Sequence, residues 1–341
     1  LATPSAAAWR VEWERRRLLG LAPHPALAHL DDATLEARAG DATFRRTGYF
    51  APTDDRRDPF VTPALPAALL AHARRTCYVV GAGAIVDAAA DAGDGRARLL
   101  HQPYGSFNAL CESEPFWDQP TVLERRAESW EAFGYSAYLL GPAALLTCWH
   151  GWEQAAAEPQ FAVFDYALRG DGTPPTELPP GRVYPLSPYP LARPGGAGGA
   201  DLCDGDWVIL ALERPVDHLA DVPLPATATA RLGDAVYALG HPRGLPLKLA
   251  DNATVRETDG GTFRTDLDTY VGNSGSPVFC ARTHALLGIV AEAQKGEGDF
   301  EPSPTLRCYV SNRIDRHVTG QLAIAATCFA AALPRSVTAG P

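Results

Sequence analysis

Lysine is nearly missing from this chain: Lys248 and Lys295 stand beside 28 arginines, the bias of a GC-rich coding sequence rather than the mark of a binding site. No apolar run approaches the ~20 residues that a membrane-spanning helix needs, and no signal peptide is recognisable, so no membrane contact is expected. Positive charge is in deficit, with a formal net charge of -10 spread along the chain and no acidic tail, which argues against nucleic acid as a partner. HExxH and CxxC spacings are both absent, so neither a metal nor another cofactor is expected. The seven cysteines are odd in number and too sparse for a disulfide scaffold; at least one should be free, and the rest buried or incidentally paired. What is present is apolar material: 46% of 341 residues, enough for one large globular domain or two smaller ones.

Residues 5–20, SAAAWRVEWERRRLLG, open on a serine cap and end at glycine, which predicts a helix; DDATLEARAG at 31–40 predicts a second. Neither carries recognisable chemistry. Residues 1–50 therefore read as a helical extension or prosegment, packing on the main domain, inhibiting it or docking a partner. From residue 74 short apolar stretches such as CYVVGAGAIV, FAVFDYAL, WVILAL, AVYALG and LLGIVAEA are broken by Gly, Pro and Asp clusters, the texture of an all-β sandwich or barrel. Alanine enrichment from Ile314 to Leu333 predicts a closing helix.

The sharpest chemical signal is Gly272-Asn273-Ser274-Gly275-Ser276-Pro277-Val278-Phe279. A serine between glycines can sit on a tight turn with its hydroxyl presented, and small neighbours let backbone N–H groups approach a substrate carbonyl. Serine needs a base within hydrogen-bond reach, and the base needs a third group to orient it. His150 ends the apolar run Ala143–Trp149, and Asp206 precedes the run Trp207–Leu212. The G-x-S-x-G elbow of α/β-hydrolases would need glycine where Ser276 stands, and their catalytic order is Ser, Asp, His.

Taken together, "LLTCWHGW", "DWVILALERPV" and "TDLDTYVGNSGSPVF", in the order His, Asp, Ser, resemble the trypsin-like serine peptidases, and most closely their bacterial V8-like (glutamyl endopeptidase) branch. Weaker similarity extends through "TDDRRD" at Thr53–Asp58, "LCESEPFWDQPT" at Leu110–Thr121 and the Gly233–Val255 stretch, so that about residues 50–320 are covered. The resemblance implies an all-β chymotrypsin-like double six-stranded barrel over 51–335, with its cleft between the barrels. It implies a serine endopeptidase acting on protein or peptide substrates through an acyl-enzyme, with His150, Asp206 and Ser274 as catalytic triad and the backbone N–H groups of Gly272 and Ser274 as oxyanion hole. Where many relatives carry small residues before the histidine and a cysteine after it, this chain has Trp149 and Gly151, so the usual local disulfide must be absent.

Specificity divides the resemblance. Asp268 lies six residues before Ser274, where relatives that cut after Arg or Lys carry an acid at the base of the first pocket; the other reading makes Asp268 a turn or loop anchor. Glutamyl endopeptidases carry a pocket histidine where this chain has Val290, which argues against cleavage after glutamate. Thr269 and Glu292 are further candidates for the pocket. The rival to an active enzyme is a catalytically inactive pseudo-peptidase that binds a partner protein. The odd cysteine count pulls toward a reducing compartment and the peptidase class toward secretion, which leaves localisation open with a lean to secreted.

Overall fold

The computed structural model describes residues 49–50, 54–86, 96–126, 129–131, 134–155, 158–172, 174–175, 177–193, 203, 205–291, 299–314 and 320–333. The helices predicted over 5–20 and 31–40, and Glu292, lie outside them.

Twelve strands form two closed antiparallel barrels of six. The first comprises β1 (Thr76–Gly81), β2 (Tyr135–Leu139), β3 (Ala144–Thr147), β4 (Gln160–Val163), β5 (Val183–Ala192) and β6 (Val208–Leu212), closed in the order β3-β6-β5-β4-β1-β2. The second comprises β7 (Ala235–Gly240), β8 (Lys248–Thr258), β9 (Thr262–Thr265), β10 (Pro277–Cys280), β11 (Leu286–Val290) and β12 (Gln321–Ala325), closed in the order β7-β8-β9-β12-β11-β10. This is the chymotrypsin-like architecture.

Strands such as β1, β2, β6 and β11 read as nearly unbroken apolar runs because both of their faces are buried. Successive side chains point to opposite faces of a strand, and the cores divide accordingly. Val208 and Leu210 of β6 join Tyr135, Ala137 and Leu145 inside the first barrel, while Ile209 faces outward into a shared core. In the second barrel Val236, Ala238 and Val278 fill the interior, and Tyr237, Leu239 and Phe279 face the same shared core. Tyr138 meets Phe279 there edge-on, with centroids 5.5 Å apart, so the barrels are joined by packing that truncation to alanine would weaken by about 3–5 kcal/mol per aromatic ring.

Helix α1 (Ala67–Arg75) runs directly into β1 and buries Leu69, His72 and Ala73 on the shared core. A satellite layer covers the second barrel. It contains the strap 54–58, helix α2 (Tyr104–Asn108) and a hairpin of Phe300–Pro302 with Tyr309–Ser311. The disulfide Cys111–Cys308 ties α2's loop to this hairpin. Cys203–Cys328 is the second bridge, and Cys77, Cys148 and Cys280 are free and buried.

Two local expectations are corrected. The described part of the alanine-rich tail is not an α-helix: Gln321–Ala325 is strand β12, followed by 3-10 turns at Ala326–Cys328 and Ala330–Ala332. Pairing on both sides, with β9 and β11, closes the barrel and overrides alanine's helix preference. His150 does not end a strand either, because β3 stops at Thr147 and His150 stands in the first turn of helix α3 (Trp149–Ala155).

Candidate active site

Asp206 leads into β6 and accepts two contacts from the start of α3. Its Oδ1 takes the His150 backbone N–H at 2.9 Å, and its carboxylate lies 2.9 and 3.0 Å from His150 Nδ1. A carboxylate only accepts, so the imidazole proton sits on Nδ1 and the Nε2 lone pair is left facing outward. Ser274 Oγ lies 3.0 Å from that Nε2. Asp206 and His150 come from the first barrel and Ser274 from the loop between β9 and β10 of the second, so the line crosses the cleft between barrels. Asp206, with a side chain 12% exposed, is the inner end of the line, and His150 at 23% is nearer solvent. The buried thiol of Cys148 flanks the imidazole, 3.7 Å from Nε2.

The serine turn is set by its glycines and by β2. Gly272 has φ +97° and Gly275 φ +82°, in the region that favours glycine. A Cβ on Gly272 would stand 2.6 Å from the His241 carbonyl oxygen, and one on Gly275 would run into the Ser136 carbonyl oxygen and Thr147 Oγ1. Ser136 of β2 then ties the barrels together at this point. Its N–H donates to Ser274 O at 2.9 Å, its hydroxyl donates to Gly272 O at 2.8 Å and accepts the His241 N–H at 2.9 Å. Asn273 N–H donates to Tyr270 O at 3.0 Å and Gly275 N–H to Val290 O at 2.8 Å. The N–H groups of Gly272 and Ser274 meet no acceptor among the described residues.

The pocket candidates are less uniform. Asp268 is buried, and its Oδ2 accepts the Asp55 N–H at 2.7 Å. Thr269 is buried beside it in sequence. Val290 brackets the serine turn, receiving Gly275 N–H and donating its own N–H to Ser276 O at 2.8 Å, while its side chain joins the interior of the second barrel.

Sequence reasoning missed what surrounds the turn. Arg56 of the strap is buried, ion-pairs with Asp54 at 2.6 Å and lies 3.7 Å from the centroid of the Tyr270 ring. Burial alone would raise the Asp54 carboxyl, but Arg56 overrides it and holds it below the usual carboxylate range. Lys248 reaches Asp58 and donates to Gln119 Oε1 at 2.6 Å; burial pulls its ammonium down to about 8 despite the attraction of Asp58. Arg243 and Asp299 meet behind Val271. The "TDDRRD" motif was visible in the sequence, whereas nothing local marks Arg243 or Asp299.

Residues 135–289 match the family model described as the trypsin-like peptidase domain, a span that holds His150, Asp206 and Ser274. Among solved structures, the chain is similar to the serine endoprotease from Yersinia pestis, with 13% identity, 80% of this chain and 68% of that chain covered, and a TM-score of 0.44. It is also similar to the active form of the Rv3671c protease from M. tuberculosis, with 15% identity, 87% and 94% coverage and a TM-score of 0.41. No curated protein sequence matches the chain.

Proposed function

We propose that this chain is a serine endopeptidase with Ser274 as nucleophile, His150 as general base and acid, and Asp206 as the group that orients the imidazole. What carries the reading is the unbroken hydrogen-bonded line from Asp206 through His150 to Ser274 across the inter-barrel cleft. Ser274 Oγ attacks the peptide carbonyl as its proton passes to Nε2. The C–N bond breaks as His150 returns that proton to the leaving amine, and water then repeats the sequence to free the acyl group. Asp206 stabilises the imidazolium that forms between these steps. The oxygen charge that develops in each tetrahedral intermediate falls to the N–H groups of Gly272 and Ser274, each such donor lowering the barrier by about 3 kcal/mol.

The V8-like branch is the nearest affinity of the motifs, but Val290 supplies no ionisable group to read a glutamate. Asp268 already holds the Asp55 N–H, so we assign it to anchoring the strap and keep Thr269 as the pocket residue, the Val290 side chain being turned into the second barrel. The two disulfides favour the secreted side of the localisation reading, because such bridges persist in oxidising surroundings. To residues 1–50 we give an autoinhibitory or partner-docking role.

Labelling by a fluorophosphonate probe tests the reading, comparing the unmodified chain with Ser274→Ala and His150→Ala. Labelling that both substitutions abolish is the expected result. Failure of the unmodified chain to label, with and without residues 1–50, would transfer the argument to a partner-binding pseudo-peptidase.

A further inference from the structure

The oxyanion-hole assignment leaves a physical question, because Gly272 has no side chain to fix the peptide plane that precedes it. Glycine accepts positive and negative φ about equally, so the Val271–Gly272 peptide has little intrinsic preference for either of two opposite orientations. Since the peptide is planar and trans, turning it over would replace a donor in the hole by a carbonyl oxygen. Something outside the turn must hold it.

The holding groups come from two segments far apart in sequence. Val271 O accepts the backbone N–H of Arg243 at 2.5 Å, which turns the Gly272 N–H to the opposite side. Val271 N–H donates to both oxygens of the Asp299 carboxylate, at 3.1 and 3.2 Å. Both polar groups of Val271 are thus taken. The two clamps are also joined to each other, for Arg243 Nε lies 3.2 Å from Asp299 Oδ2, an ion-pair contact in which the N–H is not aimed along a hydrogen bond. Asp299 is fully buried, and Arg243 is positioned independently: it adopts φ 54°, donates from Nη2 to Asn108 Oδ1 at 2.9 Å, gives its carbonyl to Thr121 Oγ1 and carries its guanidinium 5.2 Å from the Phe300 ring centroid. A left-handed, doubly anchored residue presents its N–H in one direction only.

We propose that Arg243 and Asp299 are positioning residues for the oxyanion hole, locking the Val271–Gly272 peptide so that the Gly272 N–H faces the reacting carbonyl. The proposal rests on the peptidase reading for its kinetic consequence but not for its structural one.

The test uses the full chain and p-nitrophenyl acetate, a small ester that needs no specificity pocket, together with crystal structures of the unmodified protein and Asp299→Ala. The expected result is a loss in kcat of about 100-fold, the size of one lost oxyanion donor, with KM within threefold and the 271–272 peptide rotated. Asp299→Asn keeps one acceptor oxygen for Val271 N–H but loses the charge. Arg243→Gly keeps the left-handed turn and its N–H but loses the guanidinium. Both should lose kcat by smaller factors, and both carry the test if Asp299→Ala does not fold. Unchanged kcat in these variants, a loss expressed wholly in KM, or a 271–272 peptide that keeps its orientation would overturn the proposal. Should the unmodified chain hydrolyse no ester and take no fluorophosphonate, the peptidase reading fails by itself, and the orientation of the peptide in Asp299→Ala alone decides whether the clamp exists.

Discussion

Taking the protein from pH 7 to pH 4.5 offers protons to two imidazoles that the fold holds neutral. His72 is 4% exposed, stacks on Phe279 at 4.3 Å, lies 2.9 Å from the Tyr138 hydroxyl through Nδ1 and donates from Nε2 to His284 O at 3.2 Å. Burial lowers it to about 4; the bond to the His284 carbonyl pulls partly the other way, and repulsion from His284 and Arg75 adds to the fall. His241 is 1% exposed, donates from Nδ1 to Leu245 O at 3.1 Å and stacks on Tyr166; burial, with the nearby Lys248 charge, lowers it to about 3. The unfolded chain takes up both protons near pH 6.5, whereas the folded chain refuses them until far lower. Stability is therefore fully present above pH 6.5 and falls as pH drops, by about 1.4 kcal/mol per pH unit for each imidazole. At pH 4.5 the loss is roughly 2.5 kcal/mol from each, ~5 kcal/mol together, a large part of the 5–15 kcal/mol that holds a typical domain. Asp54 and Asp266 are held below the usual carboxylate range; their contributions fade as pH falls through the unfolded value of about 3.9 and so take little from stability at pH 4.5. Urea unfolding followed by tryptophan fluorescence at pH 7, 6, 5 and 4.5, disulfides intact, measures the slope. His241→Asn, whose amide can still donate to Leu245 O, should be less stable at pH 7 yet lose one proton's share of the slope. A stability that stays level from pH 6.5 to 4.5, or a slope untouched in His241→Asn, would refute the reasoning.

Arg56→Ala leaves Asp54 buried without its cation and should cost about 3–5 kcal/mol in denaturant unfolding; a cost under 1 kcal/mol would mean that the strap contributes little. Asp268→Ala should leave the P1 preference in peptide-library profiling unchanged while lowering the melting temperature, because it removes the acceptor of the Asp55 N–H. A strong Arg or Lys preference that vanishes in this variant would restore Asp268 as the reader of a basic P1 residue. Replacing Cys111 and Cys308 by serine opens a bridge spanning 197 residues and should cost about 2–5 kcal/mol, measured as a fall in the unfolding midpoint with a concurrent fall in activity, since the bridge tethers the layer that supports Tyr270.

How much of this was legible in the sequence follows from how local each signal is. The strand runs announced an all-β sandwich or barrel, and only the resemblance made it two barrels; a strand buried on both faces must be apolar throughout, as Trp207–Leu212 shows over six residues. The turn around Ser274 was legible for the same reason, since Gly272 and Gly275 are demanded by backbone angles within the turn itself. His150 and Asp206 could be picked out only jointly with that serine. Even then, the helix that carries His150 was hidden, because its first turn is capped by a carboxylate 56 residues away. The tail misled in the opposite direction, as its alanines announce a helix while β9 and β11 supply the pairing that makes a strand.

The satellite layer lies at the far end of this scale. Asp55 reaches Asp268 across 213 residues, Asp299 reaches Val271 across 28 and Arg243 reaches Val271 from the preceding loop. None of these residues has a neighbour in sequence that predicts its partner, and each is charged, a type that composition assigns to the surface. Burying such groups is costly unless each one finds a partner, and here the partners converge on residues 268–273 from two sides. A chemical turn whose own residues are small and permissive needs its rigidity from elsewhere, and the buried charges of Arg56 and Asp299, with the partly buried guanidinium of Arg243, are where this fold supplies it.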